Sequence, residues 1–418
     1  LQAELSALIS DQLQIYMKTY FKKEIIPDQM EKNLIAKRFY QALNDHNLNS
    51  RREKKFCIIF DNAENMLQVA DYLPDSRTFP NLNIDILLTS RYRNWEKPFC
   101  TKIEMQAFGV KETETYIRQH FSNIQVNQVG TLSDIDRLNE LLGGLPLAIW
   151  QAVAFIKQKG ITISSYCDQI SDARRKDDDD SKLGEADSAT ENMKFVSPTL
   201  TLALADLRLK NRCVEAILDI LAYLSPNDIK KELLFNIWNE HSKKASKVED
   251  FDDALQLMAS YSLVTINPTE LIQYEEKQNN SKLEETTAAI QITIHRLTQQ
   301  VIRLNHRKSG VYNGNYENVF DWVVSKLDYD EKDMRDMERA GLLVPHGMYL
   351  ESLQNPLGDQ RMTELLGKIG GHQLYGIGKY DVALKYFKKV ILLEKNILAR
   401  IILKLESHLI VSEMHGEV

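Results

Sequence analysis

Two short apolar segments end in side chains that could bind a metal ion and a phosphate. The first segment, Phe56–Phe60, is followed directly by the carboxylate of Asp61, and the second, Ile86–Leu88, is followed by the run Thr89-Ser90-Arg91. Parallel strands present their carboxyl ends at one edge of a sheet, so these side chains would lie close together. A carboxylate can hold Mg²⁺ directly or through water, and a guanidinium can meet a terminal phosphate with two donors. The spacing therefore predicts a nucleotide site on two buried parallel strands, with Asp61 as the metal ligand and Arg91 as the phosphate sensor.

Each of these residues also has a simpler interpretation. Asp61 could only cap a turn, and Arg91 could be a surface residue paired with Glu96 or Asp61. Arg93 is the second candidate for the phosphate sensor. The site hypothesis depends on the two strand ends being adjacent.

The loop that normally holds the phosphates is absent from the sequence. No G-x-x-x-x-G-K-[ST] motif occurs in the 418 residues. The segment Gly376–Tyr380 has a similar composition, but Gln373 stands where the leading glycine would be and Tyr380 where the metal-binding Ser or Thr would be. The chain begins at Leu1 without an initiator Met, which favours a fragment.

Composition restricts the class of protein. A chain of 418 residues with 43% hydrophobic and 27% charged residues predicts roughly two to four globular domains. The net charge of -7 disfavours nucleic acid as a partner. The four cysteines are scattered, which favours a reducing compartment and a cytoplasmic location. The longest apolar run, residues 141–156, contains Pro146 and is shorter than the ~20 residues that cross a bilayer, so no membrane span is expected.

Changes in periodicity divide the chain into five regions. Residues 1–105 alternate helical and strand patterns, which predicts a partial nucleotide-binding α/β domain with a parallel sheet. Residues 106–170 have helical spacing and contain the run Gly144-Leu145-Pro146-Leu147-Ala148, which interrupts two helices. Residues 171–194, with four successive aspartates at 177–180, are predicted to be an acidic linker because they have too few apolar residues to form a core.

The remaining two regions are predicted to be a winged helix and a helical repeat. Residues 195–309 contain three amphipathic helices, two β-branched strands and a closing helix that begins at Arg296. Residues 310–418 have helical spacing throughout. Within them five small and aromatic residues match one tetratricopeptide repeat, in which small residues let two helices pack closely and aromatic residues fill the gap: Gly371, Gly378, Tyr380, Ala383 and Phe387.

These regions in this order resemble the NB-ARC proteins, which are signal-transducing nucleotide switches of the STAND class, and in particular the members that end in tetratricopeptide repeats. The resemblance rests on five short runs in the expected order: Ile58 to Asn65, Leu87 to Arg91, Gly144 to Ala148, His295 to Gln299 and Leu343 to His346. The implied fold is an α/β, partial P-loop NTPase-like parallel sheet followed by a helical domain, a winged helix and an all-α repeat region.

The resemblance implies a role for each candidate residue. Asp61 would be the catalytic and Mg²⁺-binding carboxylate, and Arg91 would contact the terminal phosphate. Pro146 would lie against the adenine, with Leu145 and Leu147 enclosing it. His295 would contact the diphosphate and stabilise the resting state, although its neighbours Ile294 and Arg296 differ from the plant-type Met-His-Asp pattern.

One departure from the family pattern concerns catalysis. The position after Asp61 is Asn62, where the family often has a second acid that polarises water. An amide cannot accept a proton, so the chain is expected to be at most a slow ATPase, and only when the upstream loop is present. Glu64 is the nearest alternative acid.

Two functions from different classes follow from these features. In the first, the chain is an ADP- or ATP-binding signal-transduction switch that uses Mg²⁺ and controls assembly through its winged helix and repeats; nucleotide binding would be weak or absent in this fragment. In the second, it is a helical-repeat scaffold for protein interaction whose nucleotide fold is a relic. Protein partners would bind the repeats, and a nucleotide-dependent homo-oligomer is one assembly that the first function allows. DNA binding by the winged helix is a third and weaker hypothesis, because four acidic residues follow the basic run at 243–247.

Overall fold

The chain is described by a computed structural model at residues 32–48, 55–61, 63, 69–74, 83–90, 101–121, 129–180, 193–241, 248–269, 289–330, 333–353, 355–380, 382–395 and 397. The described residues form two compact units. The first unit contains those before residue 106 together with residues 373–386, and the second unit contains the rest. Arg91, Arg93, Asn62 and Glu64 lie outside the described residues.

The described residues of the first unit that precede residue 106 include helix α1 and two parallel strands. Helix α1 spans Lys32–Leu48, strand β1 spans Phe56–Phe60, a 3₁₀ turn spans Ala70–Tyr72 and strand β2 spans Ile84–Leu88. The strands pair in parallel, with Phe56 opposite Ile84 and Phe60 opposite Leu88. The prediction of a parallel sheet is therefore confirmed for these two strands.

Among the described residues, helix α1 covers one face of this sheet. The covered face packs against the buried residues Phe39 and Leu43 of α1, and the Tyr40 hydroxyl donates to the Tyr72 carbonyl at 2.7 Å. On the other face Ile59 is 60% exposed and Leu87 is 49% exposed, and Cys57 is also exposed. The prediction of two buried strands is therefore wrong for this face: side chains alternate between faces along a strand, and the described helix α1 packs on the opposite face.

The described residues between 110 and 180 form four helices of the second unit. They are α2 (Val110–His120), α3 (Leu132–Leu141), α4 (Pro146–Lys159) and α5 (Ile163–Asp180). Helix α3 starts with a capping box, in which the Thr131 hydroxyl accepts from the Asp134 amide and the Asp134 carboxylate accepts from the Thr131 amide. Helix α5 continues through all four aspartates to Asp180, so the linker predicted from residue 171 is wrong over residues 171–180. The apolar residues at its start, including the buried Tyr166 and Ile170, anchor a helix whose polar end lacks a core of its own.

The next segment is a helical layer with a small antiparallel sheet. Its elements are α6 (Met193–Lys210), α7 (Cys213–Leu221), β3 (Ile229–Lys230), α8 (Lys231–His241), α9 (Val248–Ser260), β4 (Val264–Thr269), β5 (Ala289–Ile294) and α10 (Arg296–Lys308). The strand order is β3-β5-β4. The three predicted helices, the two predicted strands and the closing helix all have observed counterparts. Helix α6 and the two-residue strand β3 were not predicted.

The last segment is helical in the part of the chain that is described. It contains α11 (Tyr312–Lys326), α12 (Met334–Gly341), α13 (Val344–Ser352), α14 (Asp359–Gly371), a π-helical turn (His372–Gly376) and helix α15 over residues 382–395. The close contact between α14 and α15 is made by Gly370, where an added Cβ would lie 3.0 Å from the Phe387 ring, and not by Gly371 as predicted. Tyr380 is 62% exposed, so its predicted role as a gap filler is also wrong. No described helix is both long and apolar enough to cross a membrane.

Candidate functional site

The carboxylate of Asp61 and the hydroxyl of Thr89 meet at the carboxyl edge of the parallel sheet. Phe60 and Leu88 are paired in register, so the residue after each strand is adjacent to its counterpart. The Thr89 hydroxyl donates to Asp61 Oδ1 at 2.5 Å. Backbone bonds continue the pairing past the strands, from the Thr89 amide to the Phe60 carbonyl at 2.9 Å and from the Ala63 amide to the Thr89 carbonyl at 2.8 Å. The predicted adjacency of the two strand ends is thus observed.

The arrangement fits a single-carboxylate cation site. Asp61 is exposed, and Thr89 occupies one of the four lone-pair positions of its carboxylate. Mg²⁺ keeps several waters and is often bound by only one or two carboxylates, so one accessible acid suffices as a protein ligand. Among the described residues no group of three or more His, Cys, Asp or Glu side chains could enclose a metal ion. Asp61 could therefore hold a hydrated ion through its carboxylate.

The Gly144-Leu145-Pro146 run forms a tight turn between α3 and α4 in the second unit. The Gly144 amide donates to the Asn139 carbonyl at 2.9 Å, and the Phe108 amide donates to the Gly144 carbonyl at 2.8 Å. Pro146 is the first residue of α4, where its missing N–H removes no intrahelical bond. Pro146 is exposed and Leu145 is half-buried, while Leu147 is buried. An exposed proline at a helix start, beside a partly exposed leucine, gives a small apolar surface for a planar ring.

Both glycines of this turn are required by the backbone. Gly143 and Gly144 have φ values of +58° and +61°, in the left-handed region. A Cβ at Gly143 would lie 2.3 Å from the Phe195 ring, and one at Gly144 would lie 2.3 Å from the Phe108 carbonyl oxygen. The Phe195 ring in turn lies under two cations, at 5.5 Å from the Arg174 guanidinium and 5.0 Å from the Lys194 ammonium. The turn is therefore held on both sides by packed groups.

His295 caps the start of α10. Its Nδ1 accepts from the Leu297 amide at 3.1 Å, which leaves Nε2 of this exposed ring for another partner. Partial desolvation and the neighbouring Arg296 charge lower the pKa of His295 below its ordinary value, so the ring is neutral at pH 7. The prediction that His295 opens a helix after a buried strand is confirmed. The part it plays in binding stays a prediction.

A buried hydrogen-bond path connects α4 with α10. Gln151 of α4 accepts from the Thr199 hydroxyl at 2.8 Å and contacts the Thr298 hydroxyl at 3.4 Å. Gln151 is 2% exposed and Thr298 is fully buried. Gln151 lies five positions after Pro146, and Thr298 lies three after His295, so the starts of the two helices are on adjacent parts of the second unit. Sequence reasoning missed Gln151 and Thr298, because a single polar residue in a helix gives no sign of its distant partner.

The candidate residues thus fall into two groups. Asp61 belongs to the first unit, where Thr89 contacts it. Leu145, Pro146 and His295 belong to the second unit, on α4 and α10. The sequence shows Thr89 only as part of the run Thr89-Ser90-Arg91, and the structure shows that its hydroxyl bonds directly to Asp61.

Comparison with known proteins finds a distant match among solved structures. No protein-family model matches the sequence, and no curated protein matches it. Among solved structures, a Signal Transduction ATPase with Numerous Domains (STAND) protein with a tetratricopeptide repeat sensor, from Pyrococcus horikoshii, matches with 13% sequence identity and a TM-score of 0.41. The match covers 93% of this chain and 49% of that chain. This chain therefore spans about half the length of that protein.

Proposed function

We propose that this protein is a signal-transduction switch of the STAND type that responds weakly to adenine nucleotide. The observation that carries the proposal is the Asp61–Thr89 pair at the carboxyl ends of two parallel strands, where open α/β sheets bind their ligands. In the first unit Asp61 would hold hydrated Mg²⁺. In the second unit Leu145 and Pro146 would contact the base, and His295 would contact the phosphates.

The order of the remaining elements supports a switch with a protein-binding region. Residues 213–308 have the order helix, strand, helix, helix, strand, strand, helix, which fits a winged helix. The helices after residue 310, with the Gly370–Phe387 contact, fit a helical repeat that binds protein partners. Bound diphosphate would favour the resting state, and triphosphate would favour assembly. Hydrolysis would be slow at most, because Asn62 cannot act as a base.

Nucleotide titration of the 418-residue chain tests the proposal. Without a phosphate-binding loop in the sequence, the dissociation constant for Mg²⁺·ADP should be about 1 mM, which corresponds to roughly 4 kcal/mol. Asp61→Asn keeps the shape of the side chain but removes its charge, and should weaken binding about tenfold. Asp85→Asn is the matched control, since Asp85 is an exposed carboxylate on β2 that pairs with Lys55. Equal binding by wild type and Asp61→Asn would overturn the metal role.

A second pair of variants tests the switching itself. His295→Ala should shift the population toward an open, assembling form, whereas Asp61→Ala should weaken triphosphate binding without opening the resting protein. Sedimentation velocity in the presence of about 10 mM nucleotide measures assembly, and titration with Mg²⁺·ATP measures binding. Identical behaviour of the two variants would count against a switch.

The alternative is a helical-repeat scaffold with a relic nucleotide fold. The observation that favours it is the absence of G-x-x-x-x-G-K-[ST] from the 418 residues, together with the Thr89 bond that already satisfies part of the Asp61 carboxylate. No response to about 10 mM nucleotide in the titration would decide for this function.

A further inference from the structure

The turn that follows α7, residues Leu221–Ser225, is held from one side by α10. The Gln299 side chain donates to the carbonyls of Leu221 and Leu224 at 2.7 and 2.8 Å, and Arg303 donates to the carbonyl of Ala222. Gln299 is fully buried and Arg303 is 8% exposed. The two side chains lie four residues apart, hence on one face of α10. They satisfy carbonyls that α7 leaves unpaired at its end.

Helix α13 holds the same turn from another side. The Ser225 amide donates to Nδ1 of His346 at 3.1 Å, and His346 is 3% exposed. One helical turn later, the Tyr349 hydroxyl donates to Gln299 Oε1 at 2.8 Å and accepts from Arg303 at 3.2 Å. The attachment of α13 therefore depends on a histidine that acts as a hydrogen-bond acceptor.

That bond exists only while the His346 ring is neutral. A protonated imidazole has N–H groups at both nitrogens, so Nδ1 would face the Ser225 N–H as a second donor. Burial lowers the pKa of His346 to about 4, which keeps the ring neutral at pH 7. On the Gly347 side, α13 meets the apolar side chains of Leu365, Ile369 and Leu327, which offer no negative charge to a protonated ring.

The charged groups on the facing elements do not replace the lost bond. Arg303 of α10 is a cation and would repel a protonated His346. Asp219 of α7 is already paired with His306 of α10, at 2.9 Å from its Nε2. Protonation of His346 would therefore add an uncompensated charge between α13 and the Leu221–Ser225 turn.

His306 contacts the same turn but tolerates either protonation state. When it is neutral, the Tyr223 hydroxyl can donate to its Nδ1 at 2.9 Å. When it is charged, Nδ1–H can donate to the Tyr223 oxygen, and the hydroxyl can donate to the Tyr312 carbonyl at 3.3 Å. Asp219 accepts from Nε2 in both states. Two histidines on one turn thus differ in their response to acid.

We propose that His346 is an acid-sensitive latch: its neutral ring holds α13 to the Leu221–Ser225 turn, and its protonation releases α13 from that turn. The latch is independent of nucleotide binding, so its failure would leave the proposed function untouched. The attachment of α13 to the Leu221–Ser225 turn should therefore weaken as the pH falls below about 6.5, the ordinary pKa of histidine.

Hydrogen exchange of the wild-type chain as a function of pH tests the latch. With a pKa of about 4 in the closed state and 6.5 in the open state, the opening equilibrium should increase about 20-fold between pH 7 and pH 5. After correction for intrinsic exchange, protection of the Ser225 amide and of α13 should fall by the same factor. Constant protection over this range would overturn the proposal.

Two variants separate His346 from general acid effects. His346→Asn places an amide oxygen at the position of Nδ1, accepts from Ser225 and cannot titrate, so its protection should no longer depend on pH. His306→Gln changes the other histidine that contacts this turn. Its hydrogen-exchange protection should still decrease between pH 7 and pH 5 by the same factor as in the wild type, even if its overall stability differs. A pH-dependent fall that persists in His346→Asn would contradict the latch. If His346→Asn does not fold, the Cε1–H resonance of His346 in the wild type should shift together with the loss of Ser225 protection, and independent titration would overturn the proposal.

Discussion

The strand-end pair Asp61–Thr89 and the Gln299 network use the same chemistry in opposite surroundings. The first is an exposed hydroxyl-to-carboxylate bond, and the second is a fully buried amide that bonds to two carbonyls and a tyrosine. Water can replace the exposed bond at little cost, so Asp61 remains accessible to a ligand. It cannot replace the buried bonds, so Gln299 determines how α7, α10 and α13 are joined. Exposure thus distinguishes a residue suited to binding from one suited to holding the fold.

The largest effect is expected at the buried network. Gln299→Leu removes three hydrogen bonds and leaves the carbonyls of Leu221 and Leu224 without these donors, so the free energy of unfolding should fall by about 3 kcal/mol. Urea denaturation measures the change. The control is Gln119→Leu on the exposed face of α2, where a change of about 0.5 kcal/mol or less is expected. Similar decreases in the free energy of unfolding for Gln299→Leu and Gln119→Leu would show that burial does not determine how much a glutamine stabilises the fold.

A slightly smaller effect is expected at the Gly143–Gly144 turn. Gly144→Ala introduces a Cβ at positive φ and 2.3 Å from the Phe108 carbonyl oxygen, which should cost about 2 to 3 kcal/mol. Gly160→Ala is the matched control, because Gly160 has a φ of +62° but no atom lies within 4 Å of its added Cβ. Its cost should be about 1 kcal/mol, from the backbone alone. Equal melting temperatures for the two variants would refute the packing role of Gly144.

The next effect in size depends on pH. Burial alone would raise the pKa of Asp206, but hydrogen bonds from Lys159, Tyr261 and Lys210 outweigh it and lower the pKa to about 2. Because the folded-state value lies below the ordinary 3.8, this stabilisation is complete above pH 3.8 and is lost as the pH falls toward 2. Asp206→Asn should therefore cost about 2 kcal/mol at pH 7 and much less near pH 2.

Denaturation of this variant at both pH values checks the sign. The control is Asp168→Asn, whose carboxylate is 65% exposed in its pair with Arg137 and should contribute little. A cost for Asp206→Asn that is as large at pH 2 as at pH 7 would exclude the ionised carboxylate as its cause.

The smallest effect is expected at the strand ends. Thr89→Val keeps the branched shape and removes the hydroxyl that donates to Asp61, so stability should change by about 0.5 kcal/mol or less. Thermal melting gives this value. A loss of about 2 kcal/mol would mean that the Asp61–Thr89 bond stabilises the fold as the buried Gln299 bonds do. The two regions would then not differ in this respect, and the scaffold function would be favoured.

Local periodicity predicted most of the described helices and strands, together with the parallel direction of β1 and β2. It also predicted a helix break at Gly144 and a helix after His295, whereas the predicted break ran on to Ala148 and the observed helix already begins at Pro146. The errors came where a local pattern has more than one tertiary outcome. The aspartates before residue 181 have no apolar neighbours, yet the buried start of α5 supports their helix. In the region predicted to be a repeat, Gly370 and not Gly371 faces Phe387, because a shift of one residue rotates a helical position by about 100°.

The sequence by itself determined where the chain turns and which segments are helical or extended, because these depend on neighbours within a few residues. Tertiary structure decided which faces are covered and which polar groups meet. Ser225 and His346 are 121 positions apart, and Gln299 and Leu224 are 75 apart, so no local window contains either bond. The exposed side of β1, with Cys57 and Ile59, is likewise a consequence of where α1 packs. Residues apolar enough for a core strand become buried only when another element covers them.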